Sequence, residues 1–551
     1  MKKGIAAIML LLCVHVQAQF VNQLVFKRQF TAHEIDSVLT AAVGISGIFP
    51  ISYGAKAYKV IYNTVAADST PTTASGLLIV PVGAPCKVPM LSYQHGTVTK
   101  KSDVPSRFQG EWFIALVGAG KGIVTLMPDY LGLGDGPGMH PYQHRMSEAT
   151  SVVDLLRAAR EVVDTLGAPV NEQLFLFGYS QGGHATMAAH QLLQEKFDNT
   201  MHVTASAPMS GAYDMSGVMA DVMSSDSTYP SPYYLPYLIE GFNSVYHLYT
   251  NPADIYVAPY DTLLPPLFDG TRSGGYIDNR MPDVPKLVMQ PYQMDSFINY
   301  PQTNFFRVKL RESDSYNWIP NSPVRMFYCR GDHSVPYQNT MVAYEKFRQN
   351  GTDMSLIDTI DVNPTLDHYP CAQFAILGGV NWFDSLTYKP LALSVSAIAT
   401  TSSTSPNGSA TATPQLGDSP YTFAWSNGDT TSTIGNLGAG TYYVTITDQS
   451  MCTRTDSAVI QLTSGLQDEV LTNIRLYPNP AQGKVTIENA NLQDNLLTPE
   501  VYDAAGRAVK TYAVPQGAGL QLYFDNAAPG VYFMHLRSAG GKETWRKITL
   551  L

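Results

Sequence analysis

The sequence predicts an α/β domain built on a largely parallel sheet, followed by two small all-β domains. Between Gln19 and Leu386, short apolar runs alternate with longer amphipathic stretches, which is typical of strands joined by crossover helices. Ser, Thr, Ala and Pro then accumulate over residues 389–414. Beyond them the apolar runs are short and separated by turn signals such as Asn427-Gly428, which indicates a change to all-β structure.

Length, composition and charge narrow the class of protein. At 551 residues the chain exceeds one ordinary domain, and its 45% hydrophobic content is enough for a sizeable core. Charged residues make up only 15% and the net charge is −10, so we expect no nucleic-acid partner. No CxxC pair or HExxH helix is present, so the sequence gives no support for a metal site.

The first residues are typical of a secretory signal peptide. Lys2 and Lys3 precede an apolar run over residues 5–14, and Val16-Gln17-Ala18 fits a small-residue cleavage pattern. We therefore expect residues 1–18 to be removed and the mature chain to begin at Gln19. The apolar run is too short to span a bilayer, and no later stretch approaches the roughly 20 apolar residues that a transmembrane helix requires.

Individual elements follow from the apolar runs. A helix is predicted over residues 147–166, with an apolar face that includes Val152 and Leu156, an N-cap at Ser147 and a stop at Gly167. Further helices are predicted at 185–197 and 372–383. Strands are predicted at residues 88–94, 123–127, 174–177, 203–208, 324–329 and 354–360.

A Gly-x-Ser-x-Gly motif lies between a predicted strand and a predicted helix. It reads Gly178-Tyr179-Ser180-Gln181-Gly182. A tight strand-to-helix turn holds such a serine in a strained conformation that presents its hydroxyl, and glycines on both sides avoid collisions with a Cβ. The helix N-terminus directs free N–H groups towards a developing oxyanion. Ser180 is predicted to be a nucleophile, the alternative being a glycine-rich turn without catalysis.

Two further motifs accompany the serine. The pattern P-D-Y-x-G occupies residues 128–132, and R-A-A occupies residues 157–159 in the following helix. With these motifs, the region from about Phe20 to Leu386 resembles α/β-hydrolases of the fungal-type secretory lipase group. The resemblance implies the α/β-hydrolase fold and a lipase or esterase that cleaves carboxylic esters through an acyl-enzyme, with an ester as the small-molecule or lipid substrate and no cofactor.

The resemblance also implies where the oxyanion donors lie. The backbone N–H of Gln181 would be one donor, and that of Thr97, after the strand at 88–94, would be the other. His95 is expected to be a structural histidine, because this fold orders its triad as Ser, then acid, then His.

The acid and the base of the triad are predicted from their positions after the strands at 324–329 and 354–360. The segment Gly331-Asp332-His333-Ser334-Val335-Pro336 resembles the G-D-x-x-V-P loop of the family, so Asp332 is predicted to be the acid. An aspartate capping a helix that begins near Tyr337 is the alternative. His368 follows the last predicted strand and is predicted to take the Ser180 proton. His333 is the competing base.

An insertion over residues 214–320 separates the strand at 203–208 from that at 324–329. It is rich in aromatic residues and prolines, and in this fold an insertion here is normally a cap over the active site. We expect four aromatic side chains to bind an acyl chain or an aromatic acid; packing inside the cap explains them equally well. These are Tyr233, Tyr237, Phe242 and Tyr246.

The last two domains resemble known modules of exported bacterial proteins. Residues 420–453, within an expected domain at 389–465, resemble the SprB-type repeat of gliding-bacterium adhesins, a small immunoglobulin-like sandwich. Residues 470–551 contain YPNP, DAAGR and PGVY in order and resemble the type A C-terminal sorting domain of the type IX secretion system. This resemblance implies a Gram-negative bacterium, the type IX machinery as a partner, and a protein that is released or attached to the outer surface.

Other functions remain open at this stage. A serine peptidase on the same fold would share the triad, and a surface adhesin could carry a non-catalytic hydrolase-like domain. Cys86, Cys329, Cys371 and Cys452 are too few for a disulfide framework. A bridge between Cys329 and Cys371 is conceivable, but burial as small apolar side chains is the preferred interpretation.

Overall fold

The computed structural model describes residues 20–44, 47–84, 86–388, 391–462, 474–488, 499–516, 519–537 and 543–551. The predicted signal peptide at 1–18 lies outside these residues. The chain forms two compact units. Of the described residues, the first contains those up to Leu393 with Pro414–Thr422 and Ile446–Arg454, and the second contains those in Ser394–Thr413, Phe423–Thr445 and Thr455–Leu551.

A nine-stranded sheet forms the centre of the first unit. Its strands are β1 (Val21–Phe30), β2 (Gly54–Val65), β3 (Pro71–Val82), β4 (Val88–Gln94), β5 (Val124–Pro128), β6 (Val170–Tyr179), β7 (Ala205–Met209), β8 (Val324–Tyr328) and β9 (Ile357–Asp361). Their spatial order is β1-β2-β3-β5-β4-β6-β7-β8-β9. The pairs β1–β2, β2–β3 and β3–β5 are antiparallel, and every pair from β5 to β9 is parallel.

Helices follow or separate most of these strands. The α-helices are α1 (Ala32–Val43), α2 (Ile114–Gly120), α3 (Arg145–Val162), α4 (Gln181–Phe197), α5 (Val218–Ser224), α6 (Tyr234–Tyr246), α7 (Tyr260–Leu263), α8 (Gly274–Asp278), α9 (Pro291–Asn299), α10 (Phe305–Glu312), α11 (Gln338–Gln349) and α12 (His368–Leu386). Short 3₁₀ helices lie at Pro105–Arg107, Pro252–Asp254, Pro265–Phe268, Pro285–Val288 and Met354–Leu356.

The central strands of the sheet are buried on both faces. Leu77 and Ile79 of β3 pack in one core with α1, α2 and α12, whereas Leu78 and Val80 pack in the other with α3 and α4. Successive side chains of a strand point to opposite faces, so β3 contributes alternately to both cores. This arrangement explains why the central strands read as continuous apolar runs in the sequence.

The elements between β7 and β8 form the expected insertion. It contains α5 to α10 and has a hydrophobic core of its own, which includes Leu238, Phe242, Tyr256 and Phe297. All of these side chains are at least nine-tenths buried. The insertion is therefore a packed helical subdomain that joins the sheet through two chain segments, near Asp214 and near Ser315.

Several element boundaries differ from the expected ones. The helix expected at 147–166 is α3, and its N-cap is His144 rather than Ser147. The His144 ring accepts a hydrogen bond from the Ser147 N–H, so the helix is capped by an imidazole and not by the expected serine hydroxyl. The strand expected at 354–360 begins only at Ile357, after a 3₁₀ turn. The antiparallel meander of β1, β2 and β3 is an addition to the six expected strands.

The C-terminal part of the chain is all-β. Its strands are β10 (Leu393–Ile398), β11 (Gly408–Pro414), β12 (Thr422–Trp425), β13 (Thr433–Leu437), β14 (Gly440–Thr447), β15 (Thr453–Ile460), β16 (Arg475–Tyr477), β17 (Lys484–Glu488), β18 (Glu500–Asp503), β19 (Ala508–Val509), β20 (Thr511–Gln516), β21 (Gly519–Phe524), β22 (Gly530–Arg537) and β23 (Glu543–Leu550). They form two three-stranded and two four-stranded sheets. The orders are β10-β11-β13, β12-β14-β15, β16-β17-β21-β20 and β19-β18-β22-β23.

Two disulfides lie within the first unit. Cys329 is bonded to Cys371 with a Cα–Cα distance of 6.1 Å, and Cys86 is bonded to Cys452. The preference for free, buried cysteines at 329 and 371 was wrong, because the end of β8 and the first turn of α12 bring the two side chains together. Across the described parts of the chain, no helix combines the length and hydropathy needed to cross a membrane.

Candidate active site

The carboxyl ends of β6, β8 and β9 bring three predicted residues together. Tyr179 at the end of β6 pairs with Met209 of β7, which pairs with Phe327 of β8. Phe327 in turn pairs with Ile360 of β9, so the parallel strands end along one edge of the sheet. Ser180 directly follows β6, whereas Asp332 and His368 follow β8 and β9 through short loops.

Ser180 lies at a sharp turn between β6 and α4. Its φ and ψ are 61° and −121°, a conformation that costs a non-glycine residue about 1–3 kcal/mol. The turn requires glycine nearby, because a Cβ on Gly182 would overlap the carbonyl oxygen of Gln94 and one on Gly178 would lie 2.6 Å from the same atom. The Ser180 N–H donates to the carbonyl of Met209 at 3.0 Å. These contacts fix the serine at the N-terminus of α4.

A continuous hydrogen-bond chain links the three side chains. The Ser180 hydroxyl lies 2.8 Å from His368 Nε2, and His368 Nδ1 lies 2.6 Å from Asp332 Oδ2. Because a carboxylate only accepts, Nδ1 carries the proton and Nε2 accepts from the Ser180 hydroxyl. The His368 and Asp332 side chains are 3% and 0% exposed, which removes competition from water.

Neighbouring residues hold the histidine and the aspartate in place. The Tyr179 hydroxyl donates to the His368 carbonyl at 2.5 Å, and Asp367 accepts from the His368 N–H at 2.8 Å as the N-cap of α12. Burial and the nearby Asp332 carboxylate raise the pKa of Tyr179, so its hydroxyl stays protonated. The Cys329–Cys371 disulfide joins the end of β8, before the Asp332 loop, to the first turn of α12, which carries His368.

The alternatives for acid and base occupy other environments. The Tyr337 N-cap of α11 has no side-chain cap, so Asp332 does not cap this helix. The His333 side chain is 77% exposed and lies 3.5 Å from Asp367. His95 is buried, with its Nδ1 donating to the Gly96 carbonyl at 2.7 Å, and burial lowers its pKa.

The two predicted oxyanion donors both have a free N–H. Within the described residues, neither the Gln181 N–H nor the Thr97 N–H donates to another group. Gln181 is the first residue of α4, where backbone N–H groups have no partner inside the helix. Thr97 lines the same cavity as Ser180, and its hydroxyl bonds to that of Tyr142 at 2.9 Å.

The four predicted substrate-binding aromatics pack inside the cap. The Tyr237 ring stacks between those of Tyr142 and Phe268, and its hydroxyl donates to the Val98 carbonyl. Phe242 is fully buried, and the Tyr246 hydroxyl bonds to His144 Nε2. None of the four predicted aromatics, Tyr233 included, lines either of the two cavities that contain Ser180. Their contacts support the packing interpretation, because each ring packs against other aromatic rings.

Two cavities meet at Ser180. One is narrow, about 40 Å³, and is lined mainly by apolar cap residues that include Met219, Met223, Leu235 and Leu238. The other is wider, about 250 Å³, and polar groups such as Thr97, Glu111, Tyr369 and His368 line it. Only the wider cavity contains His368. The sequence does not reveal either lining, because it depends on how the cap packs over the sheet.

A buried polar network behind Ser180 is absent from the sequence-based prediction. The Gln181 side-chain amide donates to Glu148 Oε1 at 2.7 Å and to His140 Nε2 at 2.7 Å. Glu148 Oε2 lies 2.6 Å from His184 Nδ1. Burial lowers the pKa of His140 to about 3, so its ring is neutral and accepts from Gln181 while its Nδ1 donates to the Leu131 carbonyl. The network orients the residue that follows Ser180.

Comparisons with known proteins agree with this architecture. Residues 106–222 match the secretory lipase family, and residues 475–550 match the secretion system C-terminal sorting domain. A crystal structure of a protein from Legionella pneumophila designated a hydrolase is 30% identical, covers 66% of this chain and 98% of its own, and superposes with a TM-score of 0.61. No curated protein matches the sequence.

A second group of similar structures comes from a plant pathogen. A point mutant of LipA, a rice cell wall degrading esterase from Xanthomonas oryzae, is 26% identical, covers 67% of this chain and 98% of its own, and has a TM-score of 0.60. The LipA structure without this mutation has a TM-score of 0.57 at the same identity. The α/β-hydrolase fold with a cap is thereby established, and the chain belongs to the hydrolase family of the Legionella protein.

The match at the C-terminus concerns export. A secretion sorting domain over residues 475–550 makes the chain a protein that leaves the cell or reaches its surface. The SprB-type repeat expected at residues 420–453 stays a prediction.

Proposed function

We propose that the protein is a secreted carboxylic-ester hydrolase in which Ser180, His368 and Asp332 form the catalytic triad. The observation that carries this proposal is the hydrogen-bond chain from Asp332 through His368 to Ser180 at a strained strand-to-helix turn. Nucleophile, base and orienting acid in this order define serine catalysis of acyl transfer. The secretory lipase match and the similarity to an esterase support ester substrates over other acyl compounds.

The reaction proceeds in two halves. Ser180 Oγ attacks the ester carbonyl as His368 Nε2 takes its proton, and Asp332 stabilises the resulting imidazolium. The oxyanion forms hydrogen bonds with the free N–H groups of Gln181 and Thr97, at the positive end of the α4 dipole. His368 then donates the proton to the departing alcohol. In the second half, His368 takes a proton from water as its oxygen attacks the acyl carbonyl, and returns that proton to Ser180 Oγ as the bond to the acyl group breaks and the acid leaves.

The narrow cavity holds the acyl group. Its lining is mainly apolar, and its volume of about 40 Å³ leaves room only for a short chain. Leu238 of α6 and Met223 of α5 contribute to this lining from the cap. We therefore favour an esterase for short acyl groups over a lipase for long ones.

A p-nitrophenyl ester series from acetyl to palmitoyl tests this function. We expect the highest kcat/KM at short acyl chains, and Leu238→Ala should move the optimum to longer chains because it enlarges the narrow cavity. His368→Ala should lose at least about 10³-fold in kcat. His333→Ala, a matched change in an exposed histidine, should stay within about twofold of the wild type.

Three outcomes contradict the proposal in different ways. If His368→Ala retained wild-type turnover, the assigned base would be wrong. If aminoacyl p-nitroanilides were cleaved far faster than the matched esters, the protein would be a serine peptidase on the same fold. The absence of all hydrolysis would favour the adhesin alternative.

The C-terminal domains serve export and placement. The last domain directs the chain to the type IX secretion machinery, and a signal peptide at 1–18 provides entry to that pathway. The SprB-like sandwich at 389–465 acts as a spacer or surface-contacting module. Deletion of residues 470–551 in a host with type IX secretion should leave the enzyme inside the outer membrane; its normal appearance outside would contradict this route.

A further inference from the structure

The wider cavity lies on the side from which the alcohol leaves. His368 must protonate the departing oxygen, and it lines the wider cavity but not the narrow one. With the acyl group in the narrow cavity, the alcohol therefore occupies the space of about 250 Å³ next to Thr97, Tyr234 and Tyr369. This assignment rests on the proposed ester hydrolysis.

Glu111 contributes a carboxylate to this cavity. Its Oε2 atom accepts from the Tyr93 hydroxyl at 2.8 Å and from the Gly96 N–H at 3.2 Å. Its Oε1 atom accepts no hydrogen bond from any group in the described part of the chain. One oxygen thus anchors the carboxylate beside the oxyanion loop, and the other is available to a ligand.

The charge of Glu111 has no counter-ion among the residues that line the cavity. No lysine or arginine belongs to the lining. Asp103, the other acidic residue there, is paired with Lys100 at 3.1 Å. Burial and the Glu111 carboxylate raise the pKa of the Tyr93 hydroxyl, so this hydroxyl stays protonated and donates to the carboxylate.

We propose that Glu111 Oε1 accepts a hydrogen bond from a free hydroxyl on the alcohol portion of the ester. Gly96 lies between Glu111 and Ser180. A Cβ placed on Gly96 would be 3.2 Å from Glu111 Oε1 and 3.9 Å from Ser180 Cβ. A hydroxyl one or two carbons from the ester oxygen spans such a separation. The substrate is then a short-chain ester of a polyol, and an alkyl alcohol of the same length lacks the donor that satisfies the carboxylate.

Two butyrate esters with the same three-carbon alcohol skeleton separate recognition from chemistry. Glycerol monobutyrate carries two free hydroxyls, and n-propyl butyrate carries none. We expect wild-type kcat/KM to favour the glycerol ester by about tenfold or more, since hydrogen bonds to charged groups are the stronger class. Glu111→Gln keeps an oxygen for Tyr93 and Gly96 but replaces the free acceptor with an amide donor, so this preference should fall about tenfold, chiefly through KM.

Asp103→Asn is the matched control, because it removes a carboxylate of the same cavity that is already paired. Its preference for the glycerol ester should stay within about twofold of the wild type. If Glu111→Gln lowered kcat/KM for both esters equally, Glu111 would only anchor the oxyanion loop, and the proposal would be overturned. It would also be overturned if wild-type protein did not discriminate between the esters. Failure of the proposed function would be distinct, because neither these esters nor p-nitrophenyl butyrate would then be hydrolysed.

Discussion

The two carboxylate oxygens of Asp332 have separate partners, and one of these is His368. Oδ2 lies 2.6 Å from His368 Nδ1, whereas Oδ1 accepts from the backbone N–H groups of Ser334 and Val335 at 2.9 and 2.8 Å. The loop after β8 therefore holds the carboxylate in place through Oδ1, independently of its contact with the His368 imidazole. This division allows the effect on the histidine to be tested without loss of the loop.

Asp332→Asn should abolish most activity and leave the fold intact. An asparagine oxygen can replace Oδ1 towards Ser334 and Val335, but the amide group facing His368 donates where a carboxylate accepts. The imidazole would then adopt the wrong tautomer, and we expect kcat to fall about 10⁴-fold with little change in KM. Thermal unfolding of the variant serves as the control. A decrease in kcat of less than tenfold would contradict the role of Asp332.

The Cys329–Cys371 disulfide should stabilise the loop that carries Asp332 and the first turn of α12, which carries His368. Its cysteines are 42 residues apart, and closing a loop of this length in the unfolded chain contributes about 4 kcal/mol in the chain-entropy model. The double variant Cys329→Ala, Cys371→Ala should lower the free energy of unfolding by an amount of this order and reduce kcat. Urea unfolding with and without a reducing agent measures the effect. The expectation would be contradicted if the double variant were as stable as the wild type and if the reducing agent left the stability of the wild type unchanged.

Asp314 should make stability depend on pH at the base of the cap. Its oxygens accept from the N–H and hydroxyl of Ser216, and burial raises the pKa of its carboxyl to about 6. Because the folded state binds this proton more tightly than the unfolded state, the stabilisation is present below about pH 4 and is lost as the pH rises through 6. Asp314→Asn removes this dependence.

The wild-type free energy of unfolding should therefore fall by about 2 kcal/mol relative to Asp314→Asn between pH 4 and pH 6.5. Urea unfolding of both proteins at several pH values measures this difference, and the other titrating groups cancel in the comparison. Parallel curves for the two proteins would indicate that Asp314 titrates normally.

The sequence predicts the catalytic framework better than its surroundings. The run over residues 88–94 coincides with β4, and the turn around Ser180 lies between β6 and α4 as expected. These elements follow from local signals, namely buried apolar runs and glycines at a tight turn. Strand β1 was not predicted because it is largely exposed, with Phe30 its one fully buried residue, so its apolar signal is weak.

Long-range packing determines the rest of the site. The sequence indicates that the cap is aromatic, but not which rings face the substrate: Tyr234 reaches both cavities, whereas its neighbour Tyr233 packs inside the cap. Glu111 and Glu148 carry no local motif. Their contacts with Gly96 and Gln181 join residues that are distant in sequence, so only the folded chain reveals them.

Covalent labelling of Ser180 tests the central claim most directly. A fluorophosphonate ester should modify the wild-type protein at one residue, with loss of ester hydrolysis in proportion to labelling, and peptide mass mapping should place the adduct on Ser180. Ser180→Ala should take up no label and lose at least about 10³-fold in kcat while unfolding at nearly the wild-type temperature. Stoichiometric labelling elsewhere, or turnover that survives in Ser180→Ala, would contradict the account.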